Sequence, residues 1–230
     1  MCGFVGFTNY INNSNIVLEN MMNKIIHRGP DSGGTYIDDG IALGFRRLSI
    51  IDLAQGDQPI LNEDGSKVLL FNGEIYNFQS IREKLIAAGH KFKTKTDSEV
   101  LLHGYEEYGK NLLNMLRGMF AFVIWDKNTK ELFGARDFFG IKPLYYSLSG
   151  KSFLFGSEIK SFLPHPHFKK EMNEDALENY LTFQYSPCNE TFFKNVFKLP
   201  AAHCFTYKDG NLKIERYWEI KFEEYCNEEE

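Results

Sequence analysis

At 230 residues, 43% of them hydrophobic, 15% aromatic and 25% charged, the chain has enough apolar material for a buried core and matches no disordered, collagen-like or coiled-coil composition. Its net charge of -5, with 26 basic residues scattered among 31 acidic ones, offers no basic stripe to a phosphate backbone, so nucleic acid is not an expected partner. No stretch approaches the roughly 18 consecutive apolar residues of a membrane-spanning helix, and the N-terminus lacks the regions of a signal peptide, so the expectation is a cytoplasmic protein with no membrane partner.

Cys2 to Thr8 is short, apolar and interrupted by glycines, the pattern of a buried strand that starts directly after Met1. From Ser14 to His27 the residues Leu18, Met21, Met22, Ile25 and Ile26 form a helical stripe, with Ser14 or Asn15 expected as its cap. The run from His27 to Gly34 (HRGPDSGG) is expected to stop that helix and form a loop. Ile41 to Ile51 and Lys67 to Phe71 read as strands. Two helices follow, one capped by Asn77 and ending at Gly89, one capped by Asp97 and ending at Gly109.

Hairpins are then expected: Met119 to Trp125 with Glu131 to Ala135, Leu144 to Ser147 with Phe153 to Gly156, and Cys204 to Tyr207 with Leu212 to Tyr217. A further helix, Asn173 to Phe183, lies between the last two. The class is therefore α+β, with helices grouped against largely antiparallel sheets and no doubly wound pattern. Glu223 to Glu230 carries five glutamates without an apolar period and reads as an acidic linker or frayed end.

Cys2, Cys188, Cys204 and Cys226 form no C-x-x-C pair, and the six histidines show no zinc spacing, so neither a structural metal nor a disulfide framework is expected. Cys188, Cys204 and Cys226 are expected to be free, partly buried packing thiols. Cys2 differs. Removal of Met1 would place its thiol and an α-amine on one carbon, two groups that titrate within about one pH unit of each other in model peptides. An N-terminal amine acting as base for its own side-chain nucleophile is an established activation route. The alternative is an ordinary surface cysteine, against which stands the buried-strand character of the next six residues.

Three other segments carry possible chemistry. Asn72-Gly73 ends an apolar strand and combines an amide donor with an unobstructed backbone N–H, the equipment of an oxyanion hole, although Asn-Gly is equally a hairpin turn. In Arg46-Arg47 one guanidinium is suited to bidentate binding of a carboxylate, the other to a strand-edge charge. Asp97 is explained by helix capping or by a binding role. No Walker loop, strand-linked G-x-G-x-x-G or G-x-S-x-G elbow is present.

Taken together and in order, Cys2-Gly3-Phe4-Val5-Gly6, His27-Arg28-Gly29-Pro30-Asp31, Arg47 to Asp52, Asn72 to Asn77 and Thr96 to Glu99 resemble the class II glutamine amidotransferase domain. Gly118 to Phe122, Arg136 to Tyr146 and Gly156 to Lys160 look like the glutaminase half of glutamine-hydrolysing asparagine synthetases. The resemblance implies an N-terminal-nucleophile hydrolase fold, a four-layer αββα sandwich, over residues 2–218, with 219–230 a linker toward an absent synthetase domain. It implies that Cys2 attacks the side-chain amide of L-glutamine, forming a γ-glutamyl thioester and releasing ammonia.

By the same resemblance Asn72 and the Gly73 N–H stabilise the oxyanion and Arg47 pairs with the substrate α-carboxylate. Glu74 and Asp97 take the α-ammonium, Leu48, Ser49, Ile50 and Ile51 offer backbone contacts, and His27 and Arg28 shape the pocket wall. No cofactor is implied in this chain, ATP and magnesium belonging to the absent synthetase domain. The acceptor of ammonia and the oligomeric state, a homodimer included, stay open. A catalytically idle interaction module is the competing class. It would be favoured by loss of Cys2, Arg47, Asn72 or Asp97, all of which are present.

Overall fold

The computed structural model describes residues 2–9, 11–48 and 57–222. In chain order the elements are β1 (Gly3–Thr8), α1 (Ser14–Asn23), β2 (Ser32–Ile37), β3 (Ile41–Arg47), β4 (Ile60–Leu61), β5 (Lys67–Ile75), α2 (Phe78–Ala87) and α3 (Asp97–Tyr108). They continue with β6 (Gly118–Asp126), β7 (Glu131–Arg136), β8 (Tyr145–Ser149), β9 (Ser152–Gly156), α4 (Glu174–Phe183), β10 (Val196–Lys198), β11 (His203–Lys208) and β12 (Asn211–Arg216).

The strands form two six-stranded sheets, ordered β10-β8-β9-β1-β3-β2 and β12-β11-β7-β6-β5-β4. The pairings are antiparallel throughout. Side-chain alternation assigns the layers. Phe4 of β1, Leu43 and Phe45 of β3, Val68 and Leu70 of β5 and Ala121 and Val123 of β6 pack between the sheets. Val5 and Phe7 point the other way, against Leu18, Met21 and Met22 of α1. Leu69 and Phe71 face Leu85 of α2 and Val100 and Leu101 of α3. Helix, sheet, sheet and helix therefore stack in four layers, as expected, and burial of each large apolar side chain contributes about 1.5–3 kcal/mol.

Five local readings differ from the sequence expectation. Ser32-Gly33-Gly34 opens the edge strand β2 rather than a loop, because pairing with β3 overrides the weak strand preference of Ser and Gly. Strand β5 continues to Ile75, so Asn72-Gly73 lies inside a ladder and not in a hairpin turn. The residue before α1 is Asn13, while the Ser14 hydroxyl turns back to the Ile11 carbonyl at 2.8 Å. Thr96, not Asp97, precedes α3; Asp97 is its first residue. Asn77 does precede α2, but its side chain bonds the Met115 carbonyl and the Arg117 N–H instead of capping.

The turn after α1 is pressed onto β3. A Cβ on Gly29 would sit 2.3–2.5 Å from backbone atoms of Arg46 and Arg47, a separation that side-chain rotation cannot relieve. Gly29→Ala should therefore force the turn and β3 apart and cost about 1–3 kcal/mol, seen as a lower midpoint in thermal unfolding. An unchanged midpoint would mean that this contact yields freely.

Candidate active site

Cys2 precedes β1 at the centre of the first sheet. Gly3 pairs with Arg46, so the next register position sets Cys2 beside Arg47, and alternation turns both toward the inter-sheet space. Cys2 packs against the core between the sheets, and its Sγ lies 3.4 Å from the Leu48 N–H and 3.6 Å from the Leu48 carbonyl. Arg28 Nε donates to the Cys2 carbonyl at 3.0 Å, and Arg28 Nη1 pairs with Glu158 Oε1 at 3.1 Å. Glu158 also accepts from His27 at 2.9 Å and from Lys160 at 3.2 Å. Burial pushes the Glu158 carboxyl up, but these three hydrogen bonds outweigh it and hold the group below the usual carboxylate range. The backbone of Phe4 is tied twice to Ser157, through its N–H to the hydroxyl at 3.0 Å and through its carbonyl to the Ser157 N–H at 2.9 Å. Thus Gly156-Ser157-Glu158 anchors both sides of the peptide that follows Cys2.

On the facing sheet Asn72 and Glu74 share the parity of Val68 and Leu70 and so point between the sheets. Asn72 is 2% exposed, and its Nδ2 is buried without a hydrogen-bond partner among the described residues. A stranded buried donor of this kind costs about 1–3 kcal/mol. Gly73 opposes Phe120, whose N–H and carbonyl are both directed at Asp137. The Gly73 N–H therefore points away from β6, along the outer edge of β5. On that edge the Phe71 backbone is closed by the Gln58 amide and the Ile75 N–H by Asp97 Oδ2 at 2.8 Å, with Gly73 between them. Glycine is required there because a Cβ would fall 2.2 Å from the Met119 carbonyl oxygen.

Glu74 and Asp97 face the same space and are both held above the usual carboxylate range. Burial is the main cause for each. For Glu74 the Asp97 charge adds to the rise and Lys142 opposes it, whereas for Asp97 the N–H groups of Ile75 and Ser98 pull in the opposite direction. Two carboxylates destabilised in this way would each be relieved by a cation placed between them. Arg47 is 8% exposed and its Nη1 pairs at 3.1 Å with Asp57, whose side chain is largely in solvent. Ser49, Ile50 and Ile51 lie outside the described residues, so only Leu48 of that predicted segment is placed, and its backbone groups meet the Cys2 sulfur.

Two residues with a part in this arrangement had no assigned role in the sequence reading: Glu158 and Lys142. Both lay in motifs that carried the resemblance, which was the available signal. Lys142 is positioned by a loop wound around two buried charges. The Asp137 carboxylate accepts the N–H groups of Phe120, Phe139, Ile141 and Lys142, and the Arg136 guanidinium donates to the carbonyls of Gly140, Lys142 and Leu199. Of the other cysteines, Cys204 is buried with its thiol pushed up by burial, Cys188 is exposed rather than partly buried, and Cys226 lies outside the described residues.

A sandwich of two antiparallel sheets between helices, with a thiol at the head of a central strand, has the N-terminal-nucleophile hydrolase fold. The chain matches the family described as glutamine amidotransferase domain over residues 1–218. It is 42% identical to the glutamine-hydrolyzing asparagine synthetase 1 of Bacillus subtilis, across all of this chain and 37% of that protein. To the glutamine-hydrolyzing asparagine synthetase 2 of Arabidopsis thaliana it is 36% identical, across 93% of this chain and 32% of that protein. Among solved structures, the glutamine phosphoribosylpyrophosphate amidotransferase of B. subtilis superposes with a TM-score of 0.71 at 20% identity, over 95% of this chain and 50% of that one, a likeness of fold. The chain spans about a third of the length of the curated relatives named here. It belongs to the class II glutamine amidotransferase family and corresponds to the glutaminase half of glutamine-hydrolysing asparagine synthetases.

The charge on Asp97 carries a measurable cost. Its carboxyl titrates above the unfolded value, so the folded state binds the proton more tightly, and ionisation lowers stability as pH rises through the folded value. Asp97→Asn keeps an acceptor for the Ile75 N–H and removes the charge. Calorimetry at pH 7.5 should show an unfolding midpoint equal to or above that of the parent protein, with any gain vanishing toward pH 4. A clear loss at pH 7.5 would make Asp97 a stabilising residue.

Proposed function

We propose that residues 2–218 hydrolyse L-glutamine to L-glutamate and ammonia with Cys2 as nucleophile, once Met1 has been removed. The thiol proton passes to the Cys2 α-amine as the sulfur adds to the side-chain amide carbon. The resulting oxyanion is met by the Asn72 amide and the Gly73 N–H. As the tetrahedral intermediate collapses, the amine returns the proton to the departing nitrogen, ammonia leaves and a γ-glutamyl thioester remains. Water, deprotonated by the same amine, then adds to the thioester and releases glutamate and the thiol. The observation that carries this reading is the buried Asn72 Nδ2, which has no hydrogen-bond partner among the described residues and sits on the face turned toward the strand of Cys2. A donor left unsatisfied in the ground state is suited to a charge that exists only in the transition state.

The substrate's two ends follow from charge. Arg47 takes the α-carboxylate, exchanging the exposed Asp57 for a buried bidentate partner. Glu74 and Asp97 take the α-ammonium, which relieves the repulsion that adds to burial in raising Glu74. Arg28 and Glu158 act as positioning residues by fixing the carbonyl of Cys2. Ser49, Ile50 and Ile51 are assigned backbone contacts with the substrate by family resemblance alone.

Beyond this domain, we assign the ammonia to asparagine synthesis from aspartate and ATP on a following synthetase domain, joined by the acidic segment from 219. The relatives named above share this chain over only part of their length, which supports a second domain of that kind. ATP and magnesium would act there, in the cytoplasm.

Cys2→Ala should abolish ammonia release from glutamine, and an uncleaved N-terminal extension should nearly do so by converting the base into an amide. Full turnover in either protein would end the N-terminal-nucleophile assignment. Asn72→Ala should lower kcat by 100- to 1,000-fold, about 2.7–4 kcal/mol, with little change in KM. A change confined to KM in steady-state assays would instead make Asn72 a ground-state contact.

A further inference from the structure

Away from Cys2, on the helical side of the second sheet, an imidazole of α3 is surrounded by carboxylates. His103 is 2% exposed. Its Nδ1 lies 2.9 Å from Glu106 Oε2 and 3.6 Å from Glu63 Oε2, and its Nε2 lies 3.6 Å from Glu99 Oε1, too far for a hydrogen bond. The ring of His90, from the segment after α2, stands 5.1 Å from that of His103, with Nε2 3.2 Å from Glu107. Glu63, His90 and His103 each offer a ligand atom within 4.8 Å of the others.

We propose that Glu63, His90 and His103, completed by Glu106, bind a divalent transition-metal ion of the zinc class. Three arguments support this. Charge comes first: four carboxylates surround two imidazoles, and with both rings neutral, as ligation requires, a divalent ion offsets part of that negative charge while drawing the two rings to one centre. Donor type comes second, because two imidazoles with carboxylates suit zinc, cobalt or nickel, whereas magnesium and calcium take all-oxygen sites.

Outer-shell geometry is the third. With Nδ1 turned to the metal, Nε2–H faces Glu99, the carboxylate partner that a metal-bound histidine usually has. Glu99 is itself fixed by the N–H groups of Lys93 and Thr94 at 2.7 Å, and Glu106 is held by the Asn62 amide at 2.6 Å. Metal bonds of about 2.0–2.2 Å place tetrahedral ligand atoms roughly 3.5 Å apart, so the set must close by about 1 Å. Glu63 is exposed and His90 partly so, which leaves Glu63 the freer of the two to close. Sequence spacing gave no sign of the site because its ligands come from three segments: the turn between β4 and β5, the segment after α2 and the body of α3. The ion would tie these together and so hold α3, whose first residue is Asp97.

The test is calorimetric titration of the purified, metal-free chain with zinc chloride, alongside His90→Ala and Glu63→Gln, both at positions where the fold is not at risk. One equivalent should bind with micromolar or tighter affinity and raise the unfolding midpoint. Each variant should bind at least tenfold more weakly and lose the thermal shift, and a large excess of magnesium should not compete. Cobalt(II) should give visible bands without the near-ultraviolet charge transfer of a thiolate, which separates this site from Cys2. No binding, unchanged affinity in both variants, or a thiolate signature abolished by alkylation would each overturn the proposal.

Discussion

The position of β1 is the constraint on which the rest depends. It is buried along its whole length, with β3 on one side and β9 on the other, α1 beneath one face and the second sheet above the other. A strand so enclosed cannot fray, and Cys2 is one residue from its start. The thiol is thereby delivered to the rim of the inter-sheet core with the order of the core itself. Arg28, Glu158 and Ser157 extend that order by one peptide, holding the Cys2 carbonyl and the Phe4 backbone.

The opposing sheet shows the complementary feature, an accumulation of unrelieved polarity. An amide with no partner among the described residues and two carboxylates raised by burial stand within a few residues of one edge of β5, with the buried Lys142 in the loop beside them. The amide and the two carboxylates each lower the stability of the folded chain, and the surrounding hydrogen bonds fix them in place. Asp97 is aimed by the Ile75 N–H, and Lys142 by a loop closed on Asp137 and Arg136. A buried donor left open beside raised carboxylates suits a site for a charged ligand, where binding supplies partners to those three groups.

The His103 cluster applies similar chemistry to another end. There the imidazole is held protonated, its pKa raised to about 9 by Glu106, Glu99 and Glu63 against the opposing effect of burial. Glu99 is held near 2 by His103 and by the Lys93 and Thr94 N–H groups, again against burial. The pair contributes its full stability between about pH 4.5 and 6.5 and loses it as pH rises through 9 or falls through 2. An ion on Nδ1 would displace the proton held there, so its affinity should rise with pH.

Much of this was legible in the residue order. Hairpin turns, helix stripes and the apolar β1 follow from local periodicity; Cys2, Asn72, the pair Arg46-Arg47 and Asp97 stood out by their chemistry, while the choice of Arg47 and the role of Glu74 came from the family resemblance. What local order could not decide was pairing. Asn72-Gly73 is a turn by composition and becomes a strand only because β6 lies beside it; Ser32 to Gly34 is a loop by composition until β3 pairs with it. Asp97 reads as a cap, yet its carboxylate is claimed by Ile75, 22 residues away in the chain. Glu158 and Lys142 lie far in sequence from Cys2 and Glu74, and their closeness arises from lateral pairing within each sheet: β9 beside β1 brings Glu158 to Cys2, and the loop after β7, tied to β6 through Asp137, brings Lys142 toward Glu74. Local pattern determined which elements exist and which residues could do chemistry. Long-range packing decided which of them share a face, because burial and charge act through space and not along the chain.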